Sequence, residues 1–264
     1  MTIWMDQVKS MVTTPQTPSE REGAERIAKF LARAGVASRR ASEGIVADGR
    51  VSVNGTAISE PGTKIVAGVD EVRLDGEVVE PPTELVYLML NKPIGVMTTL
   101  DDPQGRPTVA DFIPSGMPRV FPVGRLDYTT TGLLLLTNDG GLAHLMMHPR
   151  HHVPKLYYAV VDGIPDPGDL THLRKGVELD DGLTSPAGAR IVQVRERTAA
   201  VEITLREGRK RQVRRMLSAI GHPVISLSRI AYGPLTLGDM AEGAVRVLEP
   251  GEVEALRASA QGGA

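Results

Sequence analysis

From Glu25 the apolar residues fall at helical spacing: Ile27, Phe30, Leu31 and Ala34 lie at i, i+3, i+4 and i+7, which predicts a helix with one buried face. Gly35 is placed to end it and Ser38 to cap a second helix, with Ala41 and Ile45 expected to face inward. Two short alternating segments follow. Val51-Ser52-Val53 runs into Asn54-Gly55, and Val72-Arg73-Leu74 into Asp75-Gly76, dipeptides that suit tight hairpin turns. Two small helices and a few strands thus make a compact α/β module over residues 23–80. The stretch Gly76 to Glu84, with Pro81-Pro82, reads as the linker out of it. Residues 1–22 are polar and rich in Thr, Pro and Ser, and are expected to form a disordered tail.

Beyond the linker the pattern turns to strands. Leu85 to Leu90 predicts a buried strand ending at Asn91-Lys92-Pro93, and Asp101 to Pro122 is rich in loop formers. Leu133-Leu134-Leu135-Leu136, bounded by Gly132 and the turn Thr137-Asn138-Asp139-Gly140, reads as a strand buried on both faces. Leu142 to Met147 suggests a short helix stopped by His148-Pro149. Tyr157 to Val161 and Val201 to Leu205 are further strands. Val213, Met216, Leu217 and Ile220 give a helical face that Gly221 and Pro223 close. Strands outnumber helices without regular βα alternation, so the fold class expected is α+β. The second domain should span 84–252 on a mixed, mainly antiparallel sheet, leaving 253–264 as a C-terminal tail.

Composition narrows the chemistry. With no cysteine in 264 residues, disulfides, thiolate zinc sites and Cys nucleophiles are excluded. The start lacks a signal-peptide core, and no apolar run reaches membrane-spanning length, so a soluble cytoplasmic protein is expected. The net charge of -2 argues against a wholly basic nucleic-acid binder. Basic residues nevertheless gather at Arg21–Arg50 and at Arg206–Arg215, and such local clusters decide where a polyanion docks.

Those clusters hold cations where helix physics disfavours them. Arg39 and Arg40 fall in the first turn of the second predicted helix, opposing its dipole. A phosphate at that terminus would make sense of them, as would plain solvation. In Glu207–Leu217, Arg211, Arg214 and Arg215 form a basic stripe beside the apolar one, a cost that points to a ligand anion or a buried carboxylate. Asp127, in Gly124-Arg125-Leu126-Asp127, sits on a polar loop feeding the leucine strand. It is the best nucleophile or base available, although an Asp in such a turn can also serve only its own backbone donors. Asp101-Asp102 and Asp180-Asp181 read as turn formers. His148, Arg150, His151 and His152 make a His-rich patch without metal-ligand spacing. There is no phosphate-binding glycine loop and no nucleophile elbow, and no second acid is obvious near the Asp127 loop.

These motifs carry a resemblance. Gly124-Arg125-Leu126-Asp127 with Thr131-Gly132-Leu133-Leu134-Leu135 and Thr137-Asn138-Asp139-Gly140 resembles the catalytic loop of the RsuA/RluB-type ribosomal RNA pseudouridine synthases. Asn91-Lys92-Pro93-x-Gly95, Pro154-Lys155-x-Tyr157 and Glu207-Gly208-Arg209-x-Arg211-Gln212-Val213-Arg214-Arg215-Met216 with Gly221-His222-Pro223 are similar to that family's other motifs, in the same order. Residues 25–74, with Gly35-Val36-Ala37-Ser38-Arg39-Arg40 and Val53-Asn54-Gly55, resemble an S4-type RNA-binding domain.

The resemblance implies an isomerase that converts uridine to pseudouridine in ribosomal RNA. The large-subunit RNA is the first expectation and small-subunit RNA the second; a non-catalytic ribosome-assembly protein is a more distant one. It implies neither cofactor nor metal, no membrane partner, and a monomer. Asp127 would act at the anomeric carbon or on a sugar proton, Arg214 would be its guanidinium neighbour, and Tyr157 would stack on the base or move a proton. Arg39, Arg40, Arg125, Arg209, Lys210 and Arg211 would contact the RNA.

Overall fold

The computed structural model describes residues 23–261, so the expectation of a tail over 1–22 lies outside the described residues. The chain divides into two compact units at the Glu84/Leu85 junction. In the first, β1 (Glu25–Arg26) leads into α1 (Ile27–Arg33) and then α2 (Arg39–Ala47), followed by β2 (Val51–Val53), β3 (Thr56–Ile58), β4 (Lys64–Ile65), β5 (Val72–Leu74) and β6 (Glu77–Val78). The backbone closes α1 in a Schellman pattern: Gly35 N donates to Ala32 O at 3.2 Å and Val36 N to Leu31 O at 3.1 Å. Ser38 Oγ then accepts from Ala41 N at 3.2 Å and caps α2.

The inward face of α2 lies one residue on from the one its sequence suggests. Ser42 and Val46 are buried, Ile45 is half-buried and Ala41 is exposed. A serine in the core register hid the true stripe from a reading that follows apolar residues. Ile27, Phe30, Leu31, Val46, Val51, Ile65 and Val72 form the core of this unit. Its four-stranded antiparallel sheet runs β3-β2-β5-β6. Both hairpins turn on residues of positive φ, Asn54 and Gly55 (50° and 79°) and Asp75 and Gly76 (50° and 91°), as a two-residue type I′ turn requires. The second hairpin uses Glu77 and Val78 as its return strand, so the start of the expected linker is part of the sheet.

The second unit comprises β7 (Tyr87–Lys92), β8 (Phe121–Pro122), β9 (Thr131–Thr137), α3 (Gly140–Met147), β10 (Lys155–Asp162), α4 (Pro167–Lys175), β11 (Glu178–Leu179), β12 (Gly182–Leu183), β13 (Gly188–Val194), β14 (Thr198–Leu205), α5 (Gln212–Ala219), β15 (Val224–Tyr232), β16 (Leu235–Thr236), β17 (Val245–Val247) and α6 (Pro250–Gln261). Its main sheet runs β13-β14-β10-β15-β9-β7-β17, with β8 on β9 and β16 on β15. Among the described residues its strands pair antiparallel except β15 with β9, which is parallel through Ser228 opposite Thr131 and Arg229 opposite Gly132. The sheet is therefore mixed and mainly antiparallel.

The leucine strand is buried on both faces. Leu133 and Leu135 pack with Met89, α3 and α6, while Leu134 and Leu136 pack with Leu88, Leu90, Val109 and Leu126 on the other side. Each such side chain contributes roughly 2 kcal/mol of gross burial energy, which makes β9 a rigid base for the loop before it. A third cluster joins β10, β13 and β14 to α4 and α5 through Val161, Ala189, Val201, Ile203, Leu173, Val213, Met216 and Leu217.

Residues 253–261, expected as a tail, instead belong to α6. Val253, Leu256 and Ala260 enter the core beside α3, and their i, i+3, i+7 spacing supplies one short apolar stripe. Arg257 clamps this helix through an ion pair with Asp139, whose other carboxylate oxygen caps α3 at Gly141 N (2.9 Å) and Leu142 N (3.0 Å). Burial alone would raise the Asp139 pKa, but the Leu142 amide, the Tyr87 hydroxyl and Arg257 together hold it below the ordinary 3.8. A carboxyl depressed in the native state adds stability above its unfolded pKa, and that stability is lost as pH falls through the native one. Arg257→Ala should therefore lower stability near pH 7 by about 0.5–1 kcal/mol, as suits a part-exposed pair. The deficit should shrink in acid. Urea titrations at pH 7 and pH 3 check both statements.

Candidate active site

The loop between β8 and β9 carries Asp127, and it is held from three sides. Leu126 is buried, and its backbone is gripped by Thr98, whose Oγ1 donates to Leu126 O at 2.7 Å and accepts from Leu126 N at 3.2 Å. Gly95 N donates to Tyr128 O at 2.9 Å, and Arg214 Nη2 to Thr129 O at 2.8 Å. Thr130 N closes the turn on Asp127 O at 2.9 Å. The Asp127 carboxylate itself takes no hydrogen bond from the described residues. It is not serving backbone donors, the role that an Asp in a turn otherwise fills.

Asp127 lines a cavity of about 300 Å³ together with Thr130, Lys155, Tyr157, Arg229 and Tyr232. Arg125, Arg206, Lys210 and Arg211 stand exposed around it. Tyr157 projects from β10 and packs against two of the core clusters, so its ring is fixed by the sheet. The structure thus brings Asp127, Tyr157, Arg125, Arg209, Lys210 and Arg211 to one cavity.

Arg214 is placed differently. It lines the neighbouring surface depressions, with Arg211. Its Nη1 donates to Val224 O at 3.2 Å, and its buried Nε has no hydrogen-bond partner. Burial and Arg211 push its pKa down, while the Asp127 charge opposes them. No ion pair within 4 Å joins the two among the described residues. Arg214 therefore holds the backbone of the Asp127 loop, and its charge is near enough for the carboxylate to favour it.

A second cation shares that task. Lys92 is fully buried, donating from Nζ to Pro93 O at 2.7 Å and Val96 O at 2.9 Å. Burial lowers its pKa to about 8, against the opposing charges of Glu242 and Asp127. The Asn91-Lys92-Pro93 motif marked the position, but nothing local shows that a lysine ending a strand turns inward.

Arg209 departs from the expectation of a free RNA contact. Its guanidinium donates to Asp181 O at 3.2 Å, Gly182 O at 2.8 Å and Leu183 O at 2.6 Å, pinning the β11–β12 hairpin. Arg215 pairs with Asp181 at 2.6 Å, which holds the Asp181 carboxyl down at about 2. Asp181 is therefore the buttress of the basic helix start as well as a turn residue, and Asp102 likewise pairs with Arg106 at 2.8 Å. A second acid does line the cavity: Glu207. Its carboxylate is committed to Ser185 N (3.0 Å), Ser185 Oγ (3.1 Å) and Gln212 Nε2 (2.5 Å). Burial pushes its pKa up, but these donors and Arg209 outweigh that and hold it down.

Arg211 occupies the left-handed region (φ 51°) just before α5 and lines all three cavities described. That conformation costs a non-glycine residue about 1–2 kcal/mol, and the side chain is exposed. His144, His148 and His151 stack edge to face with centroids 5.0 and 5.9 Å apart. Among the described residues, no group of three or more His, Asp or Glu is arranged to hold a metal, and no helix is long and apolar enough to cross a membrane.

In the first unit Arg39 and Arg40 are exposed in the opening turn of α2, without an acidic partner among the described residues.

Residues 86–219 match the family described as RNA pseudouridylate synthase, and residues 25–70 match the S4 domain. The chain belongs to the RNA pseudouridylate synthase family. It is 46% identical over 241 residues to ribosomal large subunit pseudouridine synthase B of Bacillus subtilis, covering 90% of this chain and 98% of that one. An RNA pseudouridine synthase of Aquifex aeolicus, described as uncharacterized, is 47% identical over 232 residues, with 88% and 93% covered. A crystal structure of a pseudouridylate synthase superposes with a TM-score of 0.64 at 31% identity, spanning 88% of this chain and 99% of that one. The family's fold, an S4 domain followed by a synthase domain, is the one expected from the motifs. Of the three residues expected to be catalytic, Asp127 and Tyr157 line the cavity, while Arg214 lines the neighbouring depressions and holds the Asp127 loop at Thr129 O. Sequence reasoning missed Lys155, Arg229 and Tyr232 as cavity walls.

Proposed function

We propose that this protein isomerises a specific uridine to pseudouridine in large-subunit ribosomal RNA, acting as a cytoplasmic monomer. The observation that carries the reading is the Asp127 carboxylate, free of hydrogen bonds on a clamped loop, facing a cavity walled by Tyr157. Asp127 is positioned to work at the anomeric carbon, either by adding to it or by removing a sugar proton. Tyr157 supplies a flat, rigid face for the base. Lys92 and Arg214 supply positive charge around the carboxylate.

A uridine stacked in folded RNA cannot reach this carboxylate, so it must be flipped out, at a few kcal/mol. Phosphate contacts offset that cost, and the exposed Arg125, Lys210 and Arg211 around the cavity are suited to them. Arg39 and Arg40 are the corresponding candidates on the S4 domain. Arg39→Ala/Arg40→Ala should weaken RNA binding and make its salt dependence shallower by roughly 1.5 in the log–log slope, two phosphates' worth. Binding titrations from low to moderate salt measure this, and an unchanged slope would remove both arginines from the interface.

The reading is tested by mapping pseudouridine in ribosomal RNA from cells with and without the gene, through carbodiimide-dependent reverse-transcription stops. One lost stop in the large-subunit RNA is expected. A stop lost from the small-subunit RNA would move the target. No lost stop would overturn the ribosomal assignment.

A further inference from the structure

Two cations in the cavity wall have no part in the reading above. Arg229 on β15 stands opposite Tyr157 on β10, and Lys155 opposite Tyr232. Arg229 is only 2% exposed. Its Nε donates to Leu133 O at 2.8 Å, and its Nη2 is buried with no hydrogen-bond partner. Lys155 Nζ donates to Val153 O at 3.2 Å. Both cations lie over the same Tyr232 ring, 4.8 Å and 5.4 Å from its centroid. No acid pairs with either among the described residues. Of the two acids lining the cavity, Glu207 is engaged by Ser185 and Gln212, and Asp127 lies outside ion-pair distance.

This is an expensive arrangement. A buried guanidinium nitrogen left unmatched bears its full desolvation cost, and the two cations also repel each other. Burial and the Arg229 charge together lower the Lys155 pKa to about 8. Unpaired desolvated charge in a cavity wall is what a bound anion would repay.

The isomerisation supplies one, and here the inference rests on that reading of the site. When the C1′–N1 bond breaks, its electron pair stays with the base, and the negative charge spreads over N1, O2 and O4 of uracil. The ring then turns, C5 bonds to C1′ with that electron pair, the C5 proton leaves to solvent and N1 takes one up. Uridine's atoms and electrons are conserved throughout. We propose that Lys155 and Arg229 form an anion subsite that holds the detached uracil by its carbonyl oxygens while it turns, with the Tyr232 ring backing the pair.

Lys155→Met in the full chain tests this. It removes the charge and keeps the length, whereas changing Arg229 would also disturb the Leu133 carbonyl. With a ribosomal RNA fragment containing the mapped uridine, kcat should fall about 100-fold, the loss typical of one oxyanion donor. KM and RNA affinity should be unchanged and Tm equal or higher, because a half-buried cation without an acidic partner has gone. Lys155→Arg should recover most of the rate. An undiminished kcat for Lys155→Met overturns the proposal, as does a loss accompanied by lower Tm and not rescued by Arg, which would mark a structural lysine. A wild-type protein without turnover on any ribosomal RNA would instead overturn the functional reading, and the subsite with it.

Discussion

Asp127→Ala should abolish pseudouridine formation, by at least roughly four orders of magnitude in kcat, while thermal stability and RNA affinity stay at their wild-type values. The separation follows from the geometry. The Asp127 carboxylate takes no hydrogen bond from the described residues, so truncating it orphans no donor. The loop is held instead by Leu126, Thr98, Gly95 and Arg214 through the backbone. Asp127→Asn, which keeps the volume but removes the negative charge, should be as inactive. Release of tritium from RNA labelled at uracil C5 gives the rate, and filter binding gives the affinity. Residual turnover of a per cent or more in either variant would mean that the reaction proceeds without this carboxylate. A fall in Tm would mean that Asp127 is a structural turn residue after all. The same assay separates Arg214, whose removal also frees the Thr129 carbonyl and should therefore lower rate and stability together.

The parts of the site that could be read from the sequence are those governed by local chemistry. The four leucines of β9 announce a strand buried on both faces, and the Asp127 loop precedes it in the chain. The basic helix start announces an unmet electrostatic cost, although part of it is met internally by Asp181, which lies 34 residues before Arg215. Hairpins with Asn-Gly and Asp-Gly are equally local. What stayed hidden depends on partners far apart in the chain. Arg229 sits in Val224-Ile225-Ser226-Leu227-Ser228-Arg229-Ile230, where an arginine in an alternating strand reads as an outward residue. It is buried because β15 runs parallel to β9 and offers it the Leu133 carbonyl, 96 residues away. A parallel contact between strands so distant leaves no periodic trace in either. Lys92 and Lys155 are the end residues of their strands, where a lysine ordinarily reaches for solvent. The C-terminal helix escaped for the opposite reason: its stripe is short, its surroundings are polar, and only packing against α3 stabilises it.

That same parallel contact gives the second large effect. Gly132→Ala should destabilise the protein by more than about 4 kcal/mol, placing it among the few single changes of that size. A Cβ at Gly132 would stand 2.3 Å from the Arg229 carbonyl oxygen and 2.7 Å from its amide nitrogen, and both are backbone atoms of a central strand. Neither can swing aside like a side-chain tip. The φ of 105° at this position is also one that alanine avoids. Gly44→Ala is the control: it lies in α2 with nothing within 4 Å of the added carbon, so the better helix former should stabilise by up to about 1 kcal/mol. Urea unfolding of the two variants should move in opposite directions. The comparison also bears on catalysis, because Gly132 lets β15 approach β9 closely enough for Arg229 to reach Leu133. If Gly132→Ala still folds, the strands must part, and Arg229 then loses its anchor at the cavity wall. Such a variant should keep RNA affinity and lose kcat, whereas full activity in a folded Gly132→Ala protein would show that the close approach of β9 and β15 is dispensable.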